Sequence, residues 1–269
     1  MYIIQARGDI VNTKYPIILV HGLMIKQSKI LKAFGKIEKV LDEAGYDVYV
    51  SDHDAYGSIE NNAEQLKQYI LDVLKKTNTE KVNIISHSKG GLDSKYMIEN
   101  LGMEDKVASL TTLCTPHKGS VVASVIWKLP MWIKKIIALF INSFYKLFLG
   151  DKHPDAIKAC DQLRKNDNYE KTVGFSDKVY CQSFSTHMEK PKDCFILAIP
   201  NKLYKRYDKV DNDGLVCHES AKFGNYRGEC LDIPLSHAQI IDLFASKDQK
   251  QQVYEFYKKL CRELGEMGF

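Results

Sequence analysis

Four short runs of aliphatic and β-branched residues recur through the first part of the chain: Ile17-Ile18-Leu19-Val20, Asp47 to Val50, Val82 to Ile85 and Leu110 to Thr115. Longer stretches of polar and apolar residues separate them. Between the second and third runs, Leu66, Tyr69, Ile70, Val73 and Leu74 follow the i, i+3, i+4, i+7, i+8 spacing of one helical face, which predicts an amphipathic helix over 64–76. Short apolar strands alternating with such helices are the pattern of βαβ units, so the chain is expected to form an α/β domain around a mostly parallel central sheet flanked by helices. Its 269 residues, 45% hydrophobic and 27% charged, suffice for a sizeable core. Neither repeats nor a low-complexity linker divide it, and a single domain over 1–269 is expected.

The charge balance excludes one class of function. Thirty-eight Lys+Arg against 34 Asp+Glu give a net charge of +4, too even for nucleic acid as a partner. The N-terminus, MYIIQARGDI, lacks a basic segment followed by a long apolar run, which predicts a cytoplasmic protein, though a trimmed leader would leave the same sequence. The seven cysteines, at 114, 160, 181, 194, 217, 230 and 261, are widely spread without a C-x-x-C pair. Reduced thiols are expected, and neither a disulfide framework nor a zinc site.

One segment breaks the alternation. From Lys106 to Gly150 there are six lysines and no acidic residue, and 21 of the 29 residues from Val121 to Leu149 are apolar or aromatic, including Trp127 and Trp132. Lys128, Pro130, Lys134, Lys135 and Lys146 interrupt the run, so no stretch reaches the roughly 20 apolar residues of a membrane span, and no stable transmembrane anchor is expected. From Met131 onward, Lys135, Asn142 and Lys146 share one helical face, while Ile136, Leu139, Phe140, Phe144 and Leu147 cover the rest. Core helices packed on the domain would give this pattern. So would a mobile helical lid or cap over 118–150 that meets a lipid interface, since lysine and tryptophan around a broad apolar face suit an anionic surface.

The sharpest local signal is Val82-Asn83-Ile84-Ile85-Ser86-His87-Ser88-Lys89-Gly90-Gly91, followed by helical spacing to Glu99. It reads as strand, tight turn and helix, the setting of the G-x-S-x-G nucleophile elbow of α/β-hydrolases, with Ser86 where the first glycine would stand. Small residues are needed there so that strand and helix can pack closely around the serine. Upstream, Ile17 to Val20 runs into His21-Gly22-Leu23, where such enzymes place an oxyanion-hole donor. The backbone N–H groups of Leu23 and of Lys89 are the expected pair. Downstream, Asn212-Asp213-Gly214-Leu215-Val216 offers a carboxylate in a turn, and Ser236-His237 follows a short strand expected at Cys230 to Ile233 and precedes a helix expected near Ala238. The order Ser88, Asp213, His237 is the one this fold requires. Asp211 rivals Asp213, and His218 also follows the acid, only five residues beyond Asp213. Asp52-His53-Asp54 directly follows a strand and is expected to be a solvated loop rather than a metal cluster.

Together these stretches resemble the bacterial true-lipase family of the α/β-hydrolase fold, the Pseudomonas and Burkholderia type of triacylglycerol lipase. The matching residues are Tyr15 to Leu23, Val48-Tyr49-Val50 with Ala63 to Leu66, Val82 to Gly91, Thr115-Pro116-His117-Lys118-Gly119-Ser120, and Asn212 to Val216. The resemblance implies Ser88 as nucleophile, Asp213 as acid, His237 as base, the Leu23 and Lys89 amides as oxyanion donors, and a lid in the segment after Ser120. The family's calcium site uses an aspartate two residues after the catalytic histidine. Here that position is Gln239, opposite Asp193, so a hard dication would lose a charged oxygen ligand, and neither calcium nor any cofactor is expected. The expected function is hydrolysis of lipid or other acyl esters through an acyl-enzyme. The alternatives are a soluble short-chain esterase or thioesterase with a fixed cap, and a non-catalytic protein of this fold that binds lipid or a partner.

Overall fold

The computed structural model describes residues 12–27, 32–164, 177–190, 194, 197–207 and 210–269. At its centre lies a six-stranded sheet: β1 (Ile17–Val20), β2 (Val48–Val50), β3 (Val82–His87), β4 (Val107–Leu113), β5 (Tyr180–Ser185) and β6 (Asn225–Glu229). The spatial order is β2-β1-β3-β4-β5-β6, and every neighbouring pair is parallel. Successive residues of β1 feed two separate cores, as a strand buried on both faces must. Ile17 and Leu19 pack with Ile37 and Leu41 of α1 (Ile37–Glu43) and with Val253, Tyr257 and Leu260 of the C-terminal helix. Ile18 and Val20 point the other way, onto Leu66, Ile70 and Val73 of α2 (Ile59–Thr77) and Met97 and Ile98 of α3 (Lys89–Asn100). Each such side chain contributes about 2 kcal/mol by leaving water.

The helix expected over 64–76 lies inside α2, which is longer at its N-terminal end. Ser58 caps it by accepting a hydrogen bond from Asn61 N, and Asn78 stops it in the left-handed conformation at φ 54°. The fourth strand starts earlier than its apolar core suggested and ends at Leu113, where Cys114 turns the chain with φ 52°. Two expectations in the C-terminal third are corrected. Cys230 to Ile233 is a turn, and the strand lies before it at Asn225–Glu229. No long helix starts at Ala238; a single 3-10 turn covers Gln239–Ile241, and the C-terminal helix (Lys247–Glu266) begins only after Ser246, which forms a capping box with Gln249. The loop 52–54 is solvated only at Asp52: His53 and Asp54 are buried, and Asp54 accepts backbone hydrogen bonds from Lys152 and His153.

The apolar segment forms α4 (Val121–Trp127), α5 (Met131–Phe144) and one π-helical turn at Tyr145–Leu149. It is anchored at both ends. Ser120 caps α4 and donates its hydroxyl to Leu215 O, beside the Tyr204 hydroxyl from α7 (Ala198–Tyr207). Asp151 accepts from Lys26 Nζ and from the Ala55 and Tyr56 amides, and Lys26 also bridges to Asp54. Between these anchors Trp132, Leu139, Phe140, Phe144, Leu147 and Phe148 are exposed, Leu147 by 76%. The expected polar face of α5 is broken: Asn142 turns inward and accepts from Ala156 N of α6 (Ala156–Gln162). Among the described residues, no helix is long and apolar enough to cross a membrane.

Candidate active site

Ser88 stands at the turn from β3 into α3 with φ 55° and ψ −132°, a backbone region that costs a non-glycine residue on the order of 1–3 kcal/mol. The surroundings impose that conformation. Ser88 N donates to Leu113 O of the next strand, and Ser88 O accepts from Gly91 N. Of residues 82–94, Ser88 alone is not buried. The glycines around it are demanded by contact. A Cβ on Gly90 would lie 2.4 Å from His21 O and one on Gly91 2.2 Å from the Thr115 hydroxyl, so α3 lies directly against the ends of β1 and β4. Ser86, in the position of the motif's first glycine, fits without a clash because its side chain is short and its hydroxyl donates to Thr111 O at 3.2 Å.

The His21-Gly22-Leu23 loop lies over the serine. A Cβ on Gly22 would come within 2.6 Å of Ser88 Cβ and 3.2 Å of Ser88 Oγ. Lys89 opens α3, so its amide has no acceptor within the helix and faces the N-terminal end of the helix dipole. Its side chain turns the other way, into the protein, where Nζ donates to Asp93 Oδ1 at 2.6 Å. Burial pushes the Asp93 carboxyl up to about 6, against the opposing pull of Lys89 and the Asn62 amide, which bonds Oδ2. Behind the loop, the His21 and His53 rings stack at 4.0 Å, both buried; burial lowers His21 to about 4 and His53 well below the usual histidine range. Both imidazoles are therefore neutral around pH 7.

Asp213 and His237 are brought together from separate loops. His237 Nδ1 lies 2.7 Å from Asp213 Oδ2, and His237 N donates to Asp213 O at 2.8 Å. The other carboxylate oxygen, Oδ1, accepts the amides of Leu215 and Val216, at 2.9 and 2.7 Å. Gly214 provides the required left-handed turn at φ 103°, and Asn212 holds it through the Gly214 amide. A carboxylate fixed by two amides fixes in turn the tautomer of its imidazole, leaving Nε2 to exchange a proton. The two rivals lie elsewhere: Asp211 is exposed, and His218 pairs with Glu229 instead.

The end of β3, beside Ser88, is joined to this pair by a residue that the sequence did not single out. His87, the residue before Ser88, is buried, with Nε2 2.9 Å from His237 O and its ring 4.5 Å from the His237 ring. Cys114 is a second such residue. Its thiol lies within 4.8 Å of the Asp213 carboxylate and the His237 ring and 3.3 Å from the Thr186 hydroxyl, and burial pushes it well above the ordinary thiol range. No local spacing signals either contact, because both join segments far apart in the chain. In the T-P-H-K-G-S run, His117 bonds Thr112 and stacks on Phe223, a supporting role in the loop that leads to Ser120. Gln239 is committed to the turn after His237, where Oε1 accepts from Ser236 N at 2.7 Å; Asp193 lies outside the described residues.

The leucine expected to lend an amide also joins this site to the apolar segment. Leu23 packs against the buried cluster that includes Ala138, as do Ile141 and Tyr145, and the Tyr145 hydroxyl donates to Met24 O.

Known proteins resemble this chain in sequence and in fold. The chain is similar to triacylglycerol lipase 2 of Saccharomyces cerevisiae, 27% identical over 262 residues covering 87% of this chain and 73% of that protein. It is 35% identical to a triacylglycerol lipase of Burkholderia plantarii over 153 residues, 53% of this chain and 42% of the relative, so it spans less than half of that protein's length. The Staphylococcus hyicus lipase structure superposes with a TM-score of 0.73 over 95% of this chain and 97% of that one at 16% identity, and shares the α/β-hydrolase fold. The palmitoyl protein thioesterase family matches residues 16–177, more than half of the chain and the stretch that holds β1, the Gly22 loop, the Ser88 turn and the apolar segment. The chain belongs to the palmitoyl protein thioesterase family.

Proposed function

We propose that this chain is a serine hydrolase that cleaves carboxylic esters of lipids, with Ser88 as nucleophile, His237 as general base and acid, and Asp213 as its orienting carboxylate. The observation that carries the reading is the strained Ser88 turn beneath the Gly22 loop, with the Asp213–His237 pair held against His87 next to it. His237 Nε2 takes the Ser88 Oγ proton as the oxygen attacks the ester carbonyl carbon. The resulting oxyanion is held by the Leu23 and Lys89 amides, each worth on the order of 3 kcal/mol. Collapse breaks the carbon–oxygen bond of the leaving alcohol, which takes the proton from His237 and leaves acyl-Ser88. Water then attacks by the same steps in reverse roles and releases the acid. Relatives named triacylglycerol lipase support a lipid ester as substrate. The exposed apolar face of α5 and the π-helical turn supports an acyl-chain or lipid-surface contact at 121–149.

A thioester substrate is the second reading, favoured by the family's description and by a relative named lysosomal thioesterase PPT2-B from Xenopus laevis, 25% identical over 167 residues. The same oxyanion chemistry serves both, since only the leaving atom differs. The test is turnover of p-nitrophenyl esters from C2 to C16 beside palmitoyl-coenzyme A, comparing wild type with Ser88→Ala and with Phe140→Ser/Leu147→Ser. Ser88-dependent turnover best at C8 and longer, reduced by the Phe140/Leu147 variant only for long chains, is expected. Faster turnover of the thioester would favour the second reading, and Ser88-independent turnover would overturn both.

A further inference from the structure

Outside the triad, two imidazoles and a carboxylate from three separate segments converge on one point. His187 lies two residues beyond the end of β5, His218 opens the short helix α8 (His218–Ala221), and Glu229 ends β6. We propose that His187, His218 and Glu229 form a binding site for a divalent transition-metal ion of the zinc type, distinct from the catalytic residues.

His187 Nδ1 is 2.7 Å from Glu229 Oε2 and His218 Nε2 is 3.2 Å from Glu229 Oε1, so each carboxylate oxygen faces a different ring. All three donor atoms lie within 4.8 Å of one another, and the rings meet edge to face with centroids 6.2 Å apart. A tetrahedral zinc with bonds near 2.1 Å holds its donors about 3.4 Å from each other, so donors already within 4.8 Å need to shift by no more than about 1.4 Å in any pair to close around an ion. The second observation is at His218. Its Nε2 is shut off from solvent yet makes no hydrogen bond, because Glu229 Oε1 lies near it but out of line for one. A buried polar atom left in this state calls for a partner, and an ion at the common focus provides it.

The donor set defines the ion. Two imidazole nitrogens and one carboxylate suit zinc and its first-row neighbours, whereas calcium and magnesium take oxygen ligands. The side chains are about one quarter exposed, His187 28%, His218 24% and Glu229 28%, so an ion can enter from solvent and keep water as its fourth ligand. None of the three belongs to the triad, but the segments are adjacent to it. His187 O accepts from Leu235 N, two residues before His237, and His218 N donates to Asp211 O, two residues before Asp213. A bound ion would tie together the loops that carry the acid and the base, a positioning effect and not a chemical one.

The experiment is zinc titration of the chelator-stripped chain against a chromophoric zinc indicator, with thermal melting alongside. Wild type is compared with His218→Ala and with Glu229→Gln, which keeps the side chain's shape should the first variant fail to fold. One equivalent of zinc is expected to bind wild type, with affinity reduced at least 100-fold in either variant. Zinc should raise the melting temperature of wild type alone, and calcium or magnesium should leave it unchanged. Absence of a stoichiometric equivalent would overturn the proposal. So would an equivalent that binds wild type and both variants equally and blocks turnover, which would place the ion at Cys114, Asp213 and His237 instead.

Discussion

Lowering the pH from 7.5 to 5 protonates the histidines of the unfolded chain, but not four of those in the folded one. His21, His53, His87 and His117 are buried, and burial lowers each of them, His21 to about 4 and His117 to about 3. Between pH 6.5 and 4 the unfolded state therefore binds more protons at these sites, and stability falls as pH falls. Asp93 acts in the opposite direction: its folded carboxyl, raised to about 6 by burial, holds a proton that the unfolded one has released. The balance near pH 5.5 is about three protons taken up on unfolding, a slope of about 4 kcal/mol per pH unit. Against a typical total of about 5–15 kcal/mol, this brings the chain close to acid unfolding by pH 5. Urea unfolding at pH 7.5, 6.5, 5.5 and 5.0 measures the slope, and the midpoint should drop by more than about 1 M per pH unit in the lower range. His117→Gln keeps a hydrogen-bonding group beside Thr112 and should remove one proton, about 1.4 kcal/mol per pH unit. A slope below about one proton, or one that His117→Gln leaves unchanged, would refute the reasoning.

Three further outcomes follow from the geometry. Ser88→Gly should raise stability by about 1–2 kcal/mol while abolishing turnover, because the turn's positive φ then costs nothing; a less stable glycine variant in thermal or urea melts would contradict the strain. Ser86→Gly, which restores the glycine of the common elbow, should cost about 1–2 kcal/mol through the lost bond to Thr111 O and a freer strand, with no gain in kcat. Gly22→Ala should reduce kcat/KM on p-nitrophenyl butyrate by at least about 100-fold, since its methyl would collide with Ser88 and displace the oxyanion loop; near-normal kinetics would show that the loop does not serve the reaction.

The sequence carried those features whose physics is local. A β-branched run such as Ile17 to Val20 needs burial on both faces wherever it occurs, and the amphipathic spacing of 64–76 specifies a helix before any partner is known. The tight Ser88 turn was legible because glycines at 90 and 91 are required by contacts close to it. The segment after Asp213 was less so. The run Cys230 to Ile233 is apolar enough for a strand, but pairing with β5 uses Asn225–Glu229, whose register is set by tertiary hydrogen bonds rather than by pattern. The Asp52-His53-Asp54 loop misled for a related reason. Its polarity suggested solvent, yet His53 stacks on His21 and Asp54 meets Lys26, partners more than twenty residues away. The contacts of His87 and Cys114 with His237, and the convergence of His187, His218 and Glu229, are likewise invisible to any spacing rule.

The two anchors of the apolar segment have a practical consequence. Ser120, held by Leu215 and Tyr204, and Asp151, held by Lys26, Ala55 and Tyr56, fix where the segment leaves and rejoins the domain. Between them the segment keeps further holds on the domain: Tyr145 donates to Met24 O, and Asn142 accepts from Ala156 N. A foreign helical hairpin in place of residues 121–150 would have to reproduce these holds as well as fit the two posts to leave the loop over Ser88 as it is. Cutting at the two posts alone would take away these inner contacts too, and with them the support of the loop over Ser88.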